Sequence, residues 1–396
     1  MPWEKFPGHF FISGPAKRAP VRQKGTGMND CEYMKLALEL AARGTGHVAP
    51  NPLVGALIVK NDRIIGEGWH AKYGEAHAER NALASLNESA DGATMYVTLE
   101  PCCHTGKQPP CTDAILSCGI RRVVIGCTDP NPLVAGRGIR ILQEHGIEVT
   151  TDVCHDECVA MNQVFFHYIR TGLPYVIMKY GMSTDGKTAS YTGASKWITG
   201  ETARAQVHAL RGRYTAIMTG VGTILSDDPQ LTCRIPGGYP DPVRIICDYS
   251  LRTPLTSNVV RQAQHTRTII ATCAEDASLI GAYTAAGCEI WQLPGKDGHV
   301  DLQALCRLAG SNQIDSILLE GGSSLNWSAL ESGIVNKVMA YIAPLLMGGT
   351  MAMTPVEGTG FPDPDSGLRL KNCRVTPIGE DFLMEGEIAS DVYRNH

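Results

Sequence analysis

One histidine and two cysteines are spaced so that together they could hold a catalytic metal ion. His77-Ala-Glu79 opens a predicted helix, and Cys102 and Cys111 lie between a predicted strand and the next predicted helix. One imidazole and two thiolates suit Zn²⁺, and three protein ligands leave the fourth tetrahedral position open, as in catalytic rather than structural zinc sites. All three residues lie at or near predicted helix amino ends, where the helix dipole favours a thiolate over a thiol. The pattern therefore predicts a catalytic Zn²⁺ site.

Glu79 would supply the proton chemistry of such a site. It lies two residues after His77, so its carboxylate can reach water at the metal without binding the metal itself. We interpret it as the catalytic residue, the base that activates water and the acid that protonates leaving ammonia. Alone, His77-Ala-Glu79 is typical of a solvated helix face. A metal site is indicated because Cys102 and Cys111 follow this motif in the chain, after one predicted strand. Cys103 is an alternative ligand, although Cys102, directly after Pro101, fits better.

The His-x-Glu and Pro-Cys arrangement resembles the zinc nucleobase deaminases, but eight residues rather than the usual two separate the cysteines. That long insert, Pro101-Cys-Cys-His-Thr-Gly-Lys-Gln-Pro-Pro-Cys111, resembles the deaminase half of the bifunctional RibD family of riboflavin biosynthesis, as do Asn51-Pro-Leu-Val-Gly55 and Gly68-Trp-His70. The likeness covers most of Met28 to about Val149. It implies hydrolytic deamination of 2,5-diamino-6-(5-phosphoribosylamino)pyrimidin-4-one.

The same resemblance implies four substrate contacts, at Asn51, His70, His104 and Lys107. His104 and Lys107 place two potential cations a few residues from the metal ligands, which suits a phosphate or a ring carbonyl. Taken singly, each of the four could be an ordinary surface polar residue.

A second set of motifs follows the predicted linker Thr171-Gly-Leu-Pro174. Gly220-Val-Gly222 lacks the third glycine of a dinucleotide-binding loop. Glu320-Gly-Gly322, between a predicted strand and helix, is typical of an anion-binding helix amino end or of a tight turn. With Lys179 to Ala189 and Ser195-Lys-Trp-Ile-Thr199, these motifs resemble the reductase half of the RibD family from about Leu173 to Gly349.

This second likeness implies a dihydrofolate-reductase-like fold and NADPH-dependent reduction of the ribosyl group to ribityl. The implied substrate contacts are Ser195, Arg211, Leu231, Arg234 and Glu320, and the implied cofactor contacts are Gly181, Trp197, Thr223, Asp227, Gly322, Ser323, Ser324, Leu325, Asn326, Trp327 and Ser328. Arg211 and Arg234 suit a phosphate physically, and either could equally be a solvated charge. Lys179 and Asp185 are further polar candidates, with a turn as the alternative role of Asp185. NADPH rather than NADH rests on the resemblance alone.

Alternating helix and strand patterns around these motifs indicate an α/β protein. We expect a disordered leader or extension over residues 1–27, a zinc-dependent pyrimidine deaminase domain over 28–172 and an NADPH-dependent reductase domain over 173–396. The first domain is expected to be three-layered and cytidine-deaminase-like, and its last helix is predicted as one piece from Cys154 to Arg170.

Composition and charge argue against other classes of protein. The chain is 43% hydrophobic and 19% charged, which is ordinary for a soluble globular protein, and it lacks an apolar run long enough to span a membrane. The net charge is −5, and residues 1–27 carry +4, which leaves −9 on the remainder. A net negative charge on the chain after residue 27 disfavours nucleic-acid binding. A nucleic-acid-editing zinc deaminase remains the alternative hypothesis, and a non-enzymatic protein with a structural zinc is a third.

The 14 cysteines and the lack of a predicted signal peptide favour a reducing, cytoplasmic location. We expect the eleven cysteines other than Cys102, Cys103 and Cys111 to be small buried apolar residues. The predicted partner is a small-molecule substrate, and the oligomeric state stays open, self-association included.

Overall fold

The computed structural model describes residues 27–105, 108–131 and 134–389, and the chain forms two compact units that divide between Thr171 and Gly172. Lys107 and all of the expected leader except Gly27 lie outside the described residues. Among the described helices, none has both the length and the apolarity that crossing a membrane requires.

The first unit is built on a five-stranded sheet in the order β2-β1-β3-β4-β5. Its strands are β1 (Gly55–Lys60), β2 (Arg63–Trp69), β3 (Thr94–Val97), β4 (Arg122–Ile125) and β5 (Glu148–Thr150). Its helices are α1 (Asp30–Ala42), α2 (Ala78–Ala84), α3 (Cys111–Ser117), α4 (Arg137–Glu144), α5 (His155–Met161) and α6 (Gln163–Thr171). Strand β1 is antiparallel to β2 and β3, whereas β3, β4 and β5 run parallel. Five consecutive residues of β1 are buried, as expected for a strand covered on both faces.

Two glycines of β2 let α2 lie directly against the sheet. A Cβ atom at Gly68 would stand 2.2 Å from the backbone nitrogen of Ala82, and one at Gly66 would stand 2.6 Å from the Ala82 carbonyl oxygen. Any side chain at these positions would push the helix away, so the glycines fix where α2 begins. That amino end carries His77 and Glu79.

The single helix predicted from Cys154 to Arg170 is wrong, because the chain breaks at Asn162 into α5 and α6. Asn162 is buried, and its side chain accepts a hydrogen bond from the Leu53 N–H (2.8 Å) and donates one to the Leu53 carbonyl (2.9 Å). The break allows this side chain to satisfy backbone groups of the segment that precedes β1.

We expect Asn162→Ala to lower the free energy of unfolding of the first unit by about 2–3 kcal/mol, because two hydrogen bonds to the partly buried backbone of Leu53 would be lost. The exposed residue Asn87 provides a control, since Asn87→Ala removes an amide from the surface of the same unit. Chemical denaturation of both variants measures the effect, and equal stability of the two would contradict it.

The second unit contains a nine-stranded sheet in the order β10-β9-β8-β7-β13-β6-β14-β16-β15. Its strands are β6 (Tyr175–Ser183), β7 (Ala216–Gly220), β8 (Val243–Cys247), β9 (Thr268–Thr272), β10 (Glu289–Gln292), β13 (Ser316–Leu319), β14 (Val335–Ala343), β15 (Leu370–Ile378) and β16 (Asp381–Ile388), and a separate pair is β11 (Gly295–Lys296) with β12 (His299–Val300). Its helices are α7 (Glu201–Arg213), α8 (Val221–Asp227), α9 (Asn258–Arg261), α10 (Ala277–Ala285), α11 (Leu302–Ser311) and α12 (Ser323–Glu331). The strands from β10 to β14 are parallel, and β16 is antiparallel to both of its neighbours.

Successive residues of the central strands pack into opposite cores. Ile245 and Ile269 join one hydrophobic cluster, while Ile246 and Ile270 join another. Because side chains alternate along a strand, this division shows that both faces of the sheet are covered. Glu320 directly follows β13, and Gly220 ends β7, at the carboxyl edge of the sheet.

The expectation that the eleven remaining cysteines are small buried residues is wrong at three positions, and at four others, Cys118, Cys233, Cys247 and Cys273, the residue is only partly buried. Cys31 and Cys154 form a disulfide between the start of α1 and the residue before α5, and Cys373 on β15 is exposed. Cys127, Cys158, Cys288 and Cys306 are buried as expected. Position in the sequence could not show which cysteines meet, because 123 residues separate the disulfide pair.

Candidate active sites

Helix ends and one loop bring the three predicted metal ligands of the first unit together. His77 precedes α2 as its N-cap residue, Cys111 is the first residue of α3, and Cys102 lies in the loop after β3. His77 Nδ1 lies 3.4 Å from each of the two sulfur atoms, and all three ligand atoms lie within 4.8 Å of one another. Arg80 donates to the carbonyls of Pro109 and Pro110, which fastens the end of the insert beside the amino end of α2.

The protonation of the two thiols shows that this cluster suits a cation. A hydrogen bond with the Cys111 thiol, helped by His77, lowers the pKa of Cys102, while the same hydrogen bond raises the pKa of Cys111. Two adjacent thiolates repel each other, so one keeps its proton unless a positive charge lies between them. A nitrogen and two sulfur donors are the set that Zn²⁺ takes up, and a Zn²⁺ ion held by them would remove this conflict. The residues therefore fit zinc.

Glu79 is buried in the first turn of α2, and only 3% of its surface is exposed. Burial, reinforced by the negative charge of Cys102, raises the pKa of Glu79 to about 7. A carboxyl group in such surroundings exchanges protons readily near neutral pH.

Asn51 and His70 form a linked pair next to the metal ligands. The Asn51 side-chain amide donates to His70 Nε2 (3.1 Å), and His70 Nδ1 donates to the Ala76 carbonyl (3.1 Å). Burial lowers the pKa of His70, which favours this neutral form. Its ring meets the His77 ring edge-on at 5.5 Å between centroids.

His104 lies in the insert, half-buried, and its Nδ1 atom is buried without a hydrogen-bond partner among the described residues. It lies within electrostatic reach of Asp129, whose pKa burial raises to about 6. Such an unpartnered nitrogen is free to bind an incoming group.

Sequence reasoning overlooked Asp129 and Glu100. Both carboxylates are buried, and Glu100 accepts N–H groups from Asp129, Gly136, Gly138 and Ile139, which ties the start of α4 to the metal-site loop. The signal that could have revealed Glu100 is its position directly before Pro101, at the end of a strand.

In the second unit, Glu320 joins two predicted site residues in one buried cluster. Its Oε1 atom lies 2.7 Å from Arg211 Nε, and its Oε2 atom lies 3.0 Å from Arg211 Nη2 and 3.3 Å from Lys179 Nζ. Although burial opposes ionisation, the charges of Arg211 and Lys179 lower the pKa of Glu320 to about 2. The fork of Arg211 is thus directed at Glu320, and its remaining Nη1 atom donates to the Thr232 carbonyl.

Leu231 and Arg234 approach this cluster from the loop after α8. Leu231 is buried with a left-handed backbone (φ 54°), which turns the chain back toward α7. Arg234 donates to His208, a residue of α7 that sequence reasoning missed. The spacing of His208 and Arg211, three residues apart on one helix, is the signal that could have found it.

The two glycine motifs lie side by side because β7 and β13 are parallel neighbours. The Gly220 N–H donates to the Gly321 carbonyl (3.1 Å), and the Gly322 N–H donates to the Thr223 hydroxyl (3.2 Å). Asn326 is buried and donates to the Pro355 carbonyl, and its Oδ1 atom has no partner among the described residues. Crevices at the carboxyl ends of parallel strands commonly bind nucleotide ligands.

The other predicted cofactor contacts are more scattered. Trp197 is 69% exposed, and the Arg204 guanidinium stacks 4.6 Å from its ring centroid. Within α12, the Ser323 hydroxyl donates to Glu357, the Ser328 hydroxyl donates to the Ser324 carbonyl, and the Trp327 ring packs edge-on against Phe361. Leu325 lies near Gly220, and Gly181 on β6 lies near the side chain of Thr199. Ser195 is half-buried before α7, and Asp227 is the exposed last residue of α8.

Asp185 has a structural role. Its carboxylate accepts hydrogen bonds from the Ser183 hydroxyl and from the N–H groups of Met347 and Gly348. It therefore joins the loop after β6 to the loop after β14, in agreement with the turn interpretation.

Family models match both units. The model described as the cytidine and deoxycytidylate deaminase zinc-binding region matches residues 28–127, and the model described as the RibD C-terminal domain matches residues 174–384. The fold and the sites thus define an enzyme of the α/β class in which a zinc-type deaminase domain precedes a reductase domain, as the sequence predicted.

Whole-chain comparisons identify the family. The riboflavin biosynthesis protein RibD of Actinobacillus pleuropneumoniae is 51% identical over 363 residues, which are 92% of this chain and 96% of that protein. A structure of RibD from Acinetobacter baumannii matches with a TM-score of 0.81 and 36% identity, over 91% of this chain and 99% of that one. The structure of a diaminohydroxyphosphoribosylaminopyrimidine deaminase/5-amino-6-(5-phosphoribosylamino)uracil reductase from Thermotoga maritima matches with a TM-score of 0.79, 36% identity and the same coverage. The chain belongs to the RibD family of riboflavin biosynthesis enzymes, and a nucleic-acid-editing role is not favoured.

We expect Cys102→Ala to abolish binding of Zn²⁺ and Cys103→Ala to retain it, because only the Cys102 sulfur lies in the three-atom cluster. Metal analysis of the purified variants measures zinc content, and X-ray absorption of the unmutated protein should show two sulfur ligands, one nitrogen and one exchangeable oxygen. Zinc loss in Cys103→Ala with retention in Cys102→Ala would reverse the assignment, and a fourth protein ligand would indicate a structural site.

Proposed function

We propose that the chain catalyses two successive reactions on a phosphoribosylamino-pyrimidine. The first unit, residues 28 to about 172, removes the 2-amino group of 2,5-diamino-6-(5-phosphoribosylamino)pyrimidin-4-one by hydrolysis. The second unit, from about residue 173, reduces the ribosyl group of the product to ribityl with NADPH. The observation that carries the proposal is the cluster of His77, Cys102 and Cys111 with Glu79 buried beside it. The name of the Thermotoga maritima relative pairs a deaminase with a reductase in the same way.

In the deaminase unit, His77, Cys102 and Cys111 would hold Zn²⁺. The chemistry that Zn²⁺ supplies when bound is the acidification of water, which gives a nucleophile at neutral pH. Glu79 accepts the proton of this water and delivers it to the departing amino group, so that ammonia leaves and a carbonyl replaces the amine. Burial shields the Glu79 carboxyl group from bulk solvent, and its pKa of about 7 suits both the acceptance and the delivery of a proton.

The groups around this centre suit a polar ring. The pair formed by Asn51 and His70 presents a fixed amide and a neutral imidazole beside His77. The unpartnered Nδ1 atom of His104 offers a further contact from the insert. Lys107 completes the proposed set, as the family resemblance implies, with a cation for the substrate phosphate.

In the reductase unit, the chemistry that NADPH would supply when bound is a hydride for the carbon of the opened, imine form of the ribosyl group, while the nitrogen takes up a proton. Hydride transfer depends on alignment more than on acid–base groups. The linked loops of Gly220 and Gly322 place the amino end of α12 at this edge of the sheet, and the N–H groups of its first turn would bind the cofactor phosphates. Lys179, Arg211 and Arg234 supply positive charge for the phosphorylated substrate.

We expect Glu79→Gln to reduce ammonia release by about 10²–10⁴-fold, because the amide has the same shape and cannot carry the proton. Zinc content and NADPH oxidation on pre-deaminated substrate should be unchanged. Glu88→Gln, on the surface of the same unit, is the matched control. Loss of both activities in Glu79→Gln would contradict separate active sites.

We expect Thr223→Val to raise the KM for NADPH about three- to tenfold, as for one lost hydrogen bond, since valine cannot accept the Gly322 N–H. Thr223→Ser keeps the hydroxyl and should behave like the unmutated enzyme. Steady-state kinetics with varied NADPH measure the difference, and equal KM values for both variants would place the cofactor elsewhere.

A further inference from the structure

The positive charges of the reductase site are not equivalent. Lys179 and Arg211 both form ion pairs with Glu320, at 3.3 Å and 2.7 Å. One carboxylate therefore offsets only part of the charge of these two cations. Lys179, Arg211 and Arg234 together with Glu320 carry a formal charge of +2, and Asp241, which acts on Arg234 electrostatically, lowers it to +1. The site therefore keeps a net positive charge that suits a phosphate.

Arg234 has only neutral partners in the described part of the chain. Its Nη1 atom donates to the Thr232 hydroxyl (3.2 Å) and to Gln230 Oε1 (3.5 Å), and its Nη2 atom lies 3.2 Å from His208 Nε2. No described carboxylate lies within ion-pair distance of its guanidinium. Asp241 and Glu320 act on it only from beyond ion-pair distance, so its charge is offset less than the charges of Lys179 and Arg211.

The contact between Arg234 and His208 fixes the state of the imidazole. A guanidinium group only donates hydrogen bonds, so His208 Nε2 must accept and the ring must be neutral. Burial, together with the charges of Arg211 and Arg234, lowers the pKa of His208 to about 4, which keeps the ring neutral at physiological pH. His208 itself is fixed on α7, one turn before Arg211.

We infer that His208 is a positioning residue that holds the guanidinium of Arg234 ready for the phosphate of the reductase substrate. The inference rests on the proposed function of the second unit, which it refines by assigning the phosphate to Arg234 rather than to Arg211. A neutral acceptor is suited to this task because it orients the arginine and leaves its charge intact. An aspartate or glutamate in its place would orient the arginine and neutralise it.

The first test is steady-state reduction by His208→Leu, His208→Gln and His265→Gln. His208→Leu removes the acceptor and should raise the KM for the pyrimidine substrate about tenfold, as for one lost charge-assisted hydrogen bond, with kcat and the KM for NADPH within about twofold of normal. His208→Gln can place its Oε1 atom near the position of Nε2 and should restore most of the affinity. His265, an exposed histidine of the same unit, supplies the control. An unchanged substrate KM in His208→Leu, or a fall in kcat with a rise in both KM values, would overturn the inference.

A double-mutant cycle tests whether His208 acts through Arg234. On the background of Arg234→Met, the further change His208→Leu should alter the substrate KM by less than about twofold, because the partner is already absent. If His208→Leu raises KM by the same factor on both backgrounds, the residue acts independently of Arg234 and the inference fails. Thermal unfolding and ammonia release, measured on every variant, identify general loss of structure.

Calorimetric titration with inorganic phosphate separates this inference from the proposed reaction. His208→Leu should bind phosphate about tenfold more weakly than the unmutated chain, and His208→Gln should bind it nearly as well. If the unmutated chain fails to reduce the pyrimidine but shows this pattern, the proposed reaction is wrong and the role of His208 stands. If the chain reduces the pyrimidine and His208→Leu binds phosphate normally, the role of His208 is wrong and the reaction stands.

Discussion

Two sulfur atoms and one imidazole nitrogen crowd within 4.8 Å of one another, and the first unit is arranged around that crowding. The donors repel unless a cation or a proton separates them, so they must be held together by the fold. Gly66 and Gly68 let α2 approach the sheet, and Arg80 fastens the far end of the insert to the same helix. The packing of the fold thus holds together the three donor groups, which would move apart in an unfolded chain.

In the second unit, the pairing of parallel strands brings polar groups of the predicted site together. The parallel pairing of β13 with β6 sets Leu319 opposite Met178, which brings Glu320 beside Lys179. Helix α7 and the loop after α8 add Arg211 and Arg234. Only 10% of the Glu320 side chain is exposed, and its pairing with Arg211 and Lys179 prevents a largely buried charge from being unpaired; removal of one partner of a buried pair costs about 3–5 kcal/mol. The carboxyl edge of the same sheet carries the two linked glycine loops.

Much of this arrangement follows from local sequence, and the rest depends on distant contacts. The motifs around His77 and Cys102 sufficed to predict the metal site as a hypothesis and, with the reductase motifs, the α/β fold that the comparisons confirm. The break at Asn162 could not be predicted, because the backbone groups that its side chain satisfies belong to Leu53, 109 residues earlier. The disulfide of Cys31 with Cys154 is hidden for the same reason. His208 lies on a predicted helix, but its contact with Arg234 depends on the left-handed turn at Leu231, which no local pattern reveals.

Glu320 and Gly321 are joined by a single peptide bond, with the ion pairs of the proposed substrate site on one side of it and the loop of the proposed cofactor site on the other. The proposed specificities for substrate and for cofactor therefore cannot change independently of each other. A substitution that shifts Glu320 also shifts the loop of the proposed cofactor site, so the effect of the substitution depends on the residues already present in that loop. Divergence of this domain toward another substrate or another nucleotide should accordingly proceed through paired, epistatic changes, with few neutral single steps between them.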